Sequence, residues 1–307
     1  MKSVRPPLSR LTSMPDTYTI TAFYKFLPLE ESALADHRST LQRVGFTYRL
    51  FGLMLVSTEG INGTVSGSAE GIENFKNYLE KEFGEITFKD SLAQRRPFKR
   101  WLVQIRNEIV ALKDKSILPN GDRNHLSPKQ WHKILDEEKD ILVIDTRNIC
   151  ETDIGMFRGA VDPRLESFSQ FPQWVRDSGI KKEQKVLMYC TGGIRCEKAL
   201  IAMQREGYQE VYQLEGGILN YLKAFPEGHW NGECFVFDDR VSVDANLAPS
   251  QRYSFCPHCG DPGDLTLDCQ ACEKSTVICK TCAAKNDRNT CSKHCAEMFR
   301  RQHATTP

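Results

Sequence analysis

The segment Tyr189-Cys190-Thr191-Gly192-Gly193-Ile194-Arg195-Cys196 places a thiol at the end of an apolar run, then two glycines, then the start of a helix. Glycines let such a loop curl until successive backbone N–H groups point inward, and the helix N-terminus that follows adds its own amides and dipole. An anion is favoured at the centre. The Cys190 thiol is therefore expected to ionise readily and act as a nucleophile, with Arg195 as a second source of positive charge. From Cys190 to Arg195 the spacing is C-x4-R. A C-x5-R loop encloses a phosphate, and a ring one residue shorter suits a single sulfur or oxygen atom. A lone Cys after a core strand is more often structural, but the glycines and the arginine argue against that here. Cys196 offers a second thiol, either to resolve an oxidised Cys190 or, as the preferred reading, to pack beneath the loop.

A second concentration of chemistry lies near the C-terminus, where eight of the twelve cysteines fall in pairs: Cys256 and Cys259, Cys269 and Cys272, Cys279 and Cys282, Cys291 and Cys295. Each close pair can put two thiolates on one tetrahedral ion, so eight thiolates suffice for two closed zinc sites. The short intervals between pairs favour interleaving, the first pair sharing an ion with the third and the second with the fourth. Sequential pairing is the alternative, as is iron–sulfur ligation, and His258 and His294 stand where either can replace a Cys. A segment with so few apolar side chains is expected to need its metal to fold.

A third feature is the basic stretch between Lys89 and Arg106. There Arg95, Arg96, Lys99 and Arg100 outnumber the single Asp90, with Phe98 and Trp101 interleaved. Phosphate contacts plus a stacking ring are what an RNA surface needs, although a charge run is more often a solvated face.

The elements that must position these groups follow from composition and periodicity. The chain has 307 residues, 41 basic against 40 acidic side chains, and 40% hydrophobic residues. Those values fit a soluble protein of two or three domains and exclude a disordered or membrane class. A formal charge of +1 gives no global attraction to a polyanion, so nucleic acid must be held by a local patch. No run approaches the ~20 apolar residues of a membrane helix. With no secretory h-region and with cysteines patterned for metal, a cytoplasmic location is expected.

Residues 1–16, rich in proline, read as a flexible leader. Residues 17–115 read as β-α-β-β-α-β, a ferredoxin-like α+β domain, with strands at 18–26, 50–57, 86–88, 101–105 and 109–112 and helices at 30–44 and 69–83. Turn chemistry is expected at 60–64. A linker spans 118–122, and Ser127-Pro128 opens an alternating β/α domain over 124–225 with a parallel sheet. Its helices are expected at 128–136, 171–176 and 196–206, and its Cys190 loop lies at a strand's carboxyl end, where sites form in such sheets. Glycines at 216, 217, 228 and 232 break that pattern. A connecting segment covers 226–250 and the Cys-rich metal-binding module 251–300.

The central domain resembles a rhodanese domain through Asp145-Thr146-Arg147, Phe157-Arg158-Gly159-Ala160, the Cys190 loop and Leu214-Glu215-Gly216-Gly217. A closer resemblance, over about residues 18–245, is to the bacterial tRNA uridine hydroxylases. It is carried by Glu59-Gly60-Ile61-Asn62-Gly63-Thr64, Glu108-Ile109-Val110, Cys190-Thr191-Gly192-Gly193-Ile194-Arg195-Cys196-Glu197-Lys198-Ala199 and Cys234-Phe235-Val236-Phe237-Asp238. Cys150 departs from the aromatic usual before Glu151.

That resemblance implies oxygen-dependent conversion of the wobble uridine to 5-hydroxyuridine, with Cys190 as the catalytic residue, molecular oxygen as co-substrate and the tRNA anticodon loop as partner. It also raises the weight of the basic stretch as an RNA contact, and the base is expected to flip out of its stack to reach the thiol. No G-x-G-x-x-G marks an organic cofactor, and no H-x-D/E pair marks a facial iron triad. The thiolate, or a persulfide on it, is expected to attack C6 of the pyrimidine and enrich C5 for the oxidant. Two other functions fit parts of the sequence: rhodanese-type sulfur transfer, and non-catalytic RNA binding through the basic stretch and the metal module.

Overall fold

A computed structural model describes residues 17–119, 121, 124–285 and 287–303. The leader 1–16 and part of the linker 118–122 lie outside the described residues. In the N-terminal unit β1 (Tyr18–Phe26), α1 (Leu34–Thr47), β2 (Phe51–Ser57), β3 (Gly60–Gly67), α2 (Ala69–Phe83), β4 (Lys89–Ala93) and β5 (Trp101–Ile105) follow in order. The sheet order is β4-β1-β3-β2-β5, antiparallel except that β2 and β5 run parallel. This is the expected ferredoxin-like arrangement with a fifth strand at the edge. Ile72, Phe75, Leu79 and Phe83 repeat at three and four residues along α2 and are buried against Phe23, Met54 and Val65 of the sheet. Each such side chain contributes roughly 1.5–3 kcal/mol by leaving water.

Three local expectations change. Residues 86–88 form no strand, and the strand there begins at Lys89. The turn lies at residues 58–59, and 60–64 belongs to β3, where Gly63 pairs with Phe23 and leaves room for its ring. Residues 109–112 form no strand, because carboxylates take their amides: Glu59 accepts from Ile109 N at 2.6 Å and Glu108 from Leu112 N at 3.0 Å.

The central unit begins with β6 (His125–Leu126), α3 (Pro128–Glu137), β7 (Ile141–Asp145), α4 (Ile149–Thr152), β8 (Gly155–Phe157) and α5 (Phe171–Asp177). It continues with β9 (Lys185–Tyr189), α6 (Ile194–Arg205), β10 (Val211–Leu214) and α7 (Gly217–Ala224). Its sheet, ordered β6-β10-β9-β7, is wholly parallel. Period-two alternation along β9 sends Val186 and Met188 to a core shared with α5 and α6, and Leu187 and Tyr189 to one shared with α3 and α7. Helix α7 occupies a stretch where the glycines suggest a break. Gly216 and Gly217 take φ of +71° and +68° to start it, and a side chain on Gly217 would meet the Cys190 carbonyl oxygen at 2.5 Å.

Beyond α7, β11 (Trp230–Gly232) pairs with β8, and β12 (Cys234–Phe235) pairs with β13 (Ser242–Val243). The tail holds two small hairpins, β14 (Ser254–Phe255) with β15 (Pro262–Gly263) and β16 (Leu265–Asp268) with β17 (Ser275–Ile278), then α8 (Lys280–Ala283) and α9 (Lys293–His303). Among the described residues no helix is long and apolar enough to cross a membrane.

Candidate active site and metal centres

Cys190 sits at the carboxyl end of β9, buried, with the Gly193 amide donating to its Sγ at 3.0 Å. Burial alone would raise its pKa. The Cys196 thiol, the Arg195 guanidinium and the amides at the start of α6 outweigh that and bring Cys190 down to about 5. Cys196 moves in the opposite direction: burial and the neighbouring Cys190 push it well up. It is enclosed under the loop with its Sγ 3.6 Å from Thr146 Oγ1.

Arg195 is not a free cation. Its two terminal nitrogens donate to the buried Glu151 carboxylate at 2.6 and 2.7 Å, a bidentate pair that also receives the Thr191 hydroxyl at 3.3 Å. Burial pushes Glu151 up, yet Arg195 holds it below the usual carboxylate range.

A cavity of about 400 Å³ opens over this loop, lined by Cys190, Thr191, Gly192, Ile194 and Arg195 on one side. Gly193 completes the turn with φ of +100°, and a side chain there would strike the Tyr24 hydroxyl at 2.9 Å. The rest of the lining comes from the N-terminal sheet, through Tyr24, Asn62, Lys89 and Ser91, and from the segment after β12, through Phe237, Asp238 and Arg240. Sequence reasoning passes over Tyr24, Glu151 and Arg240 as site residues and reads Lys89 only as the start of the basic stretch. Only for Glu151 is there a signal, since a buried arginine requires a carboxylate.

The N-terminal and central units are joined through α6. Glu197 accepts from Tyr24 at 2.9 Å and from Gln213 at 2.9 Å, and stands 3.0 Å from His125 Nε2. Lys198, fully buried, lies 2.7 Å from both Glu59 and Glu108. Three of the motifs that carried the resemblance, those of Glu59, Glu108 and Lys198, thus meet at one interface.

The basic stretch divides. Arg95, Arg96, Lys99 and Arg100 are exposed on the loop between β4 and β5. That loop is tied to the cavity wall where the Asp239 amide donates to Pro97 O at 2.9 Å. Trp101 corrects the expectation of a stacking ring: it is 5% exposed, edge-on to Phe75, and donates Nε1 to Gln42 O at 3.2 Å. An exposed aromatic exists elsewhere, at Phe237, 57% exposed on the cavity wall with the Arg195 guanidinium 5.9 Å from its ring centre.

In the tail Cys256, Cys259, Cys279 and Cys282 form one group of four thiols and Cys269, Cys272, Cys291 and Cys295 another, so the pairs interleave. Neighbouring sulfurs stand 3.5 Å apart for Cys259–Cys279 and 3.6 Å for Cys272–Cys291 and Cys291–Cys295. A tetrahedron with metal–sulfur bonds of about 2.3 Å has edges of about 3.8 Å, so both groups could hold a metal ion. His258 and His294 belong to neither group. A third cluster, which no sequence motif marks, brings together His132, Asp136 and His229, with His229 Nε2 2.8 Å from Asp136.

Residues 18–109 match the family model of the UPF0176 acylphosphatase like domain, 127–224 that of the rhodanese-like domain and 231–296 that of the rhodanase C-terminal domain. The tRNA uridine(34) hydroxylase of Bdellovibrio bacteriovorus is 41% identical over 94% of this chain and 83% of its own length. That of Sinorhizobium medicae is 40% identical over 91% of this chain and 90% of its own, and that of Synechocystis 41% identical over 81% and 91%.

Proposed function

This chain belongs to the tRNA uridine(34) hydroxylase family, and from that premise we propose that it is a cytoplasmic tRNA-modifying oxidoreductase that converts the wobble uridine of the anticodon loop to 5-hydroxyuridine. The observation that carries the reading is the lowered Cys190 thiol opening into a cavity of about 400 Å³, large enough to admit a nucleotide base. The uridine leaves its stack, as a base must to reach a walled site, and Phe237 at the cavity wall offers it a stacking face. Arg95, Arg96, Lys99 and Arg100 hold the anticodon backbone beside the opening.

The chemistry follows from the thiolate. Cys190 Sγ adds to C6 of the uracil, and the electron pair displaced toward C5 and O4 makes C5 nucleophilic toward an oxidant. Molecular oxygen is the co-substrate: one oxygen atom goes to C5, and the other leaves as water after taking two electrons and two protons from a reductant. Loss of the C5 proton expels the thiolate and restores the C5=C6 bond. The Arg195–Glu151 pair fixes the loop that supports this thiolate.

The two thiol groups of the tail hold one zinc ion each, in a structural role. Their interleaving lets the ions replace the core that so few apolar residues cannot build.

Mass spectrometry of tRNA nucleosides from cells supplied with the wild-type chain or with Cys190→Ser tests the reading. We expect 5-hydroxyuridine only with the former. Undiminished 5-hydroxyuridine with Cys190→Ser would overturn the thiolate mechanism. Sulfur transfer from thiosulfate without any 5-hydroxyuridine would favour a sulfurtransferase instead.

A further inference from the structure

Three cationic side chains line the Cys190 cavity: Lys89, Arg195 and Arg240. Two are already matched by carboxylates. Arg195 is held by Glu151 in the bidentate pair, and Arg240 by Asp238, with donor–acceptor distances of 2.8 and 2.6 Å. Lys89 differs. Among the described residues its ammonium has neither an ion pair nor a hydrogen bond, and its Nζ stands 4.6 Å from the centre of the Tyr24 ring. The Tyr24 hydroxyl at the edge of that ring is committed to Glu197. A half-buried ammonium with no anion or acceptor in direct contact has donors to spare, and a ligand oxygen in the cavity can take them.

We propose that Lys89 is a catalytic residue whose ammonium binds the C4 oxygen of the target uracil while Cys190 bonds to C6, an inference that rests on the uridine chemistry proposed above. The step is a conjugate addition with no net redox change. A lone pair on Sγ forms the S–C6 bond, the C5=C6 pair moves between C5 and C4, and the C4=O pair moves onto O4. The negative charge that arrives on O4 faces Lys89, so the interaction strengthens as the bond forms. The thiolate comes from the central unit and the ammonium from β4 of the N-terminal sheet, so the base is held by groups from two units. Burial pulls the Lys89 ammonium down to about 8, against the opposing influence of Cys190 and Glu197, which makes it a stronger hydrogen-bond donor than an exposed lysine while leaving it largely charged at neutrality.

The addition is visible without the oxidant. With oxygen removed, water can protonate C5 of the adduct. Loss of the original C5 hydrogen and expulsion of the thiolate then return uridine carrying a solvent hydrogen. The full-length chain, Lys89→Met and Lys89→Ala are incubated with tRNA in deuterated water under nitrogen, and deuterium in uridine 34 is read by nucleoside mass spectrometry. The wild-type chain should exchange C5–H, Lys89→Met should do so about 10²-fold more slowly at unchanged tRNA affinity, and added ethylammonium should restore part of the rate to Lys89→Ala. Three results overturn the inference: exchange by Lys89→Met at the wild-type rate, a slower rate accounted for entirely by weaker tRNA binding, or no rescue of Lys89→Ala by the amine. A wild-type chain that hydroxylates tRNA in air yet never exchanges C5–H removes the addition step and this role with it. A wild-type chain that forms no 5-hydroxyuridine in air overturns the reading of the site itself.

Discussion

Lys198 Nζ lies 2.7 Å from Glu59 Oε2, a buried ion pair that joins the turn between β2 and β3 of the N-terminal unit to the helix that follows the reactive thiol. Glu108 shares the same ammonium at 2.7 Å. Removing one partner of a buried pair strands the other in a poor dielectric, which typically costs 3–5 kcal/mol, about the scale of a whole domain's stability. Lys198→Met leaves two carboxylates stranded and should lower the urea midpoint sharply. A midpoint equal to that of the wild-type chain would mean that water reaches these groups.

Thiol reactivity separates the cysteines. Cys190 is brought down to about 5, whereas burial pushes Cys150 up to about 11 and Cys234 up to about 12. The alkylation rate of Cys190 should therefore rise with pH through about 5 and be level by pH 7, because the thiolate is the reacting form. Limiting iodoacetamide at pH 7, followed by peptide mapping, should modify Cys190 ahead of Cys150 and Cys234. Equal modification of the three would remove the case for an activated thiolate.

Reversing charge on the exposed loop tests the RNA surface. Replacing Arg95, Arg96, Lys99 and Arg100 with Glu should weaken tRNA binding and flatten its dependence on salt, by about 0.7 in the log–log slope for each phosphate that is no longer neutralised. Cys190 alkylation serves as the control for folding. If the slope measured by filter binding does not change, the phosphates are held elsewhere.

Metal content reports the pairing of the tail. The purified chain should carry close to two zinc ions and a featureless visible spectrum, because zinc has a filled d shell. Cys256 and Cys279 fall in the same thiol group, so Ser at both positions should release about one zinc ion and spare the other group. Loss of both ions would indicate sequential pairing, and a brown protein an iron–sulfur cluster.

The parts of the site that the sequence discloses are those whose partners are close along the chain. The Cys190 loop closes on itself within a few residues, and the C-x-x-C pairs are short enough to share a metal. What escapes notice depends on distant partners. Tyr24 meets Glu197 across 173 residues and Glu151 meets Arg195 across 44, and no local pattern encodes either. Helix α7 is hidden because Gly216 and Gly217 look like breakers, whereas their positive φ and lack of side chain are what let α7 begin against the Cys190 carbonyl. Trp101 is misjudged as a surface ring although its strand holds the answer. It alternates with Val103 onto the same buried face, so a ring there belongs to the core and the basic side chains before it to the surface.

Helix α6 presents four consecutive residues to four different neighbours: Arg195 to Glu151, Cys196 to Thr146, Glu197 to Tyr24 and Lys198 to Glu59. A helix turns about 100° per residue, so these positions look outward in nearly every direction. Inserting or deleting a single residue between Gly193 and Arg195 would present each side chain to the wrong neighbour at once. Swivelling the helix in place would have the same effect. The thiol is consequently a fixed target, and the travel needed to bring sulfur and pyrimidine together must be made by the nucleotide.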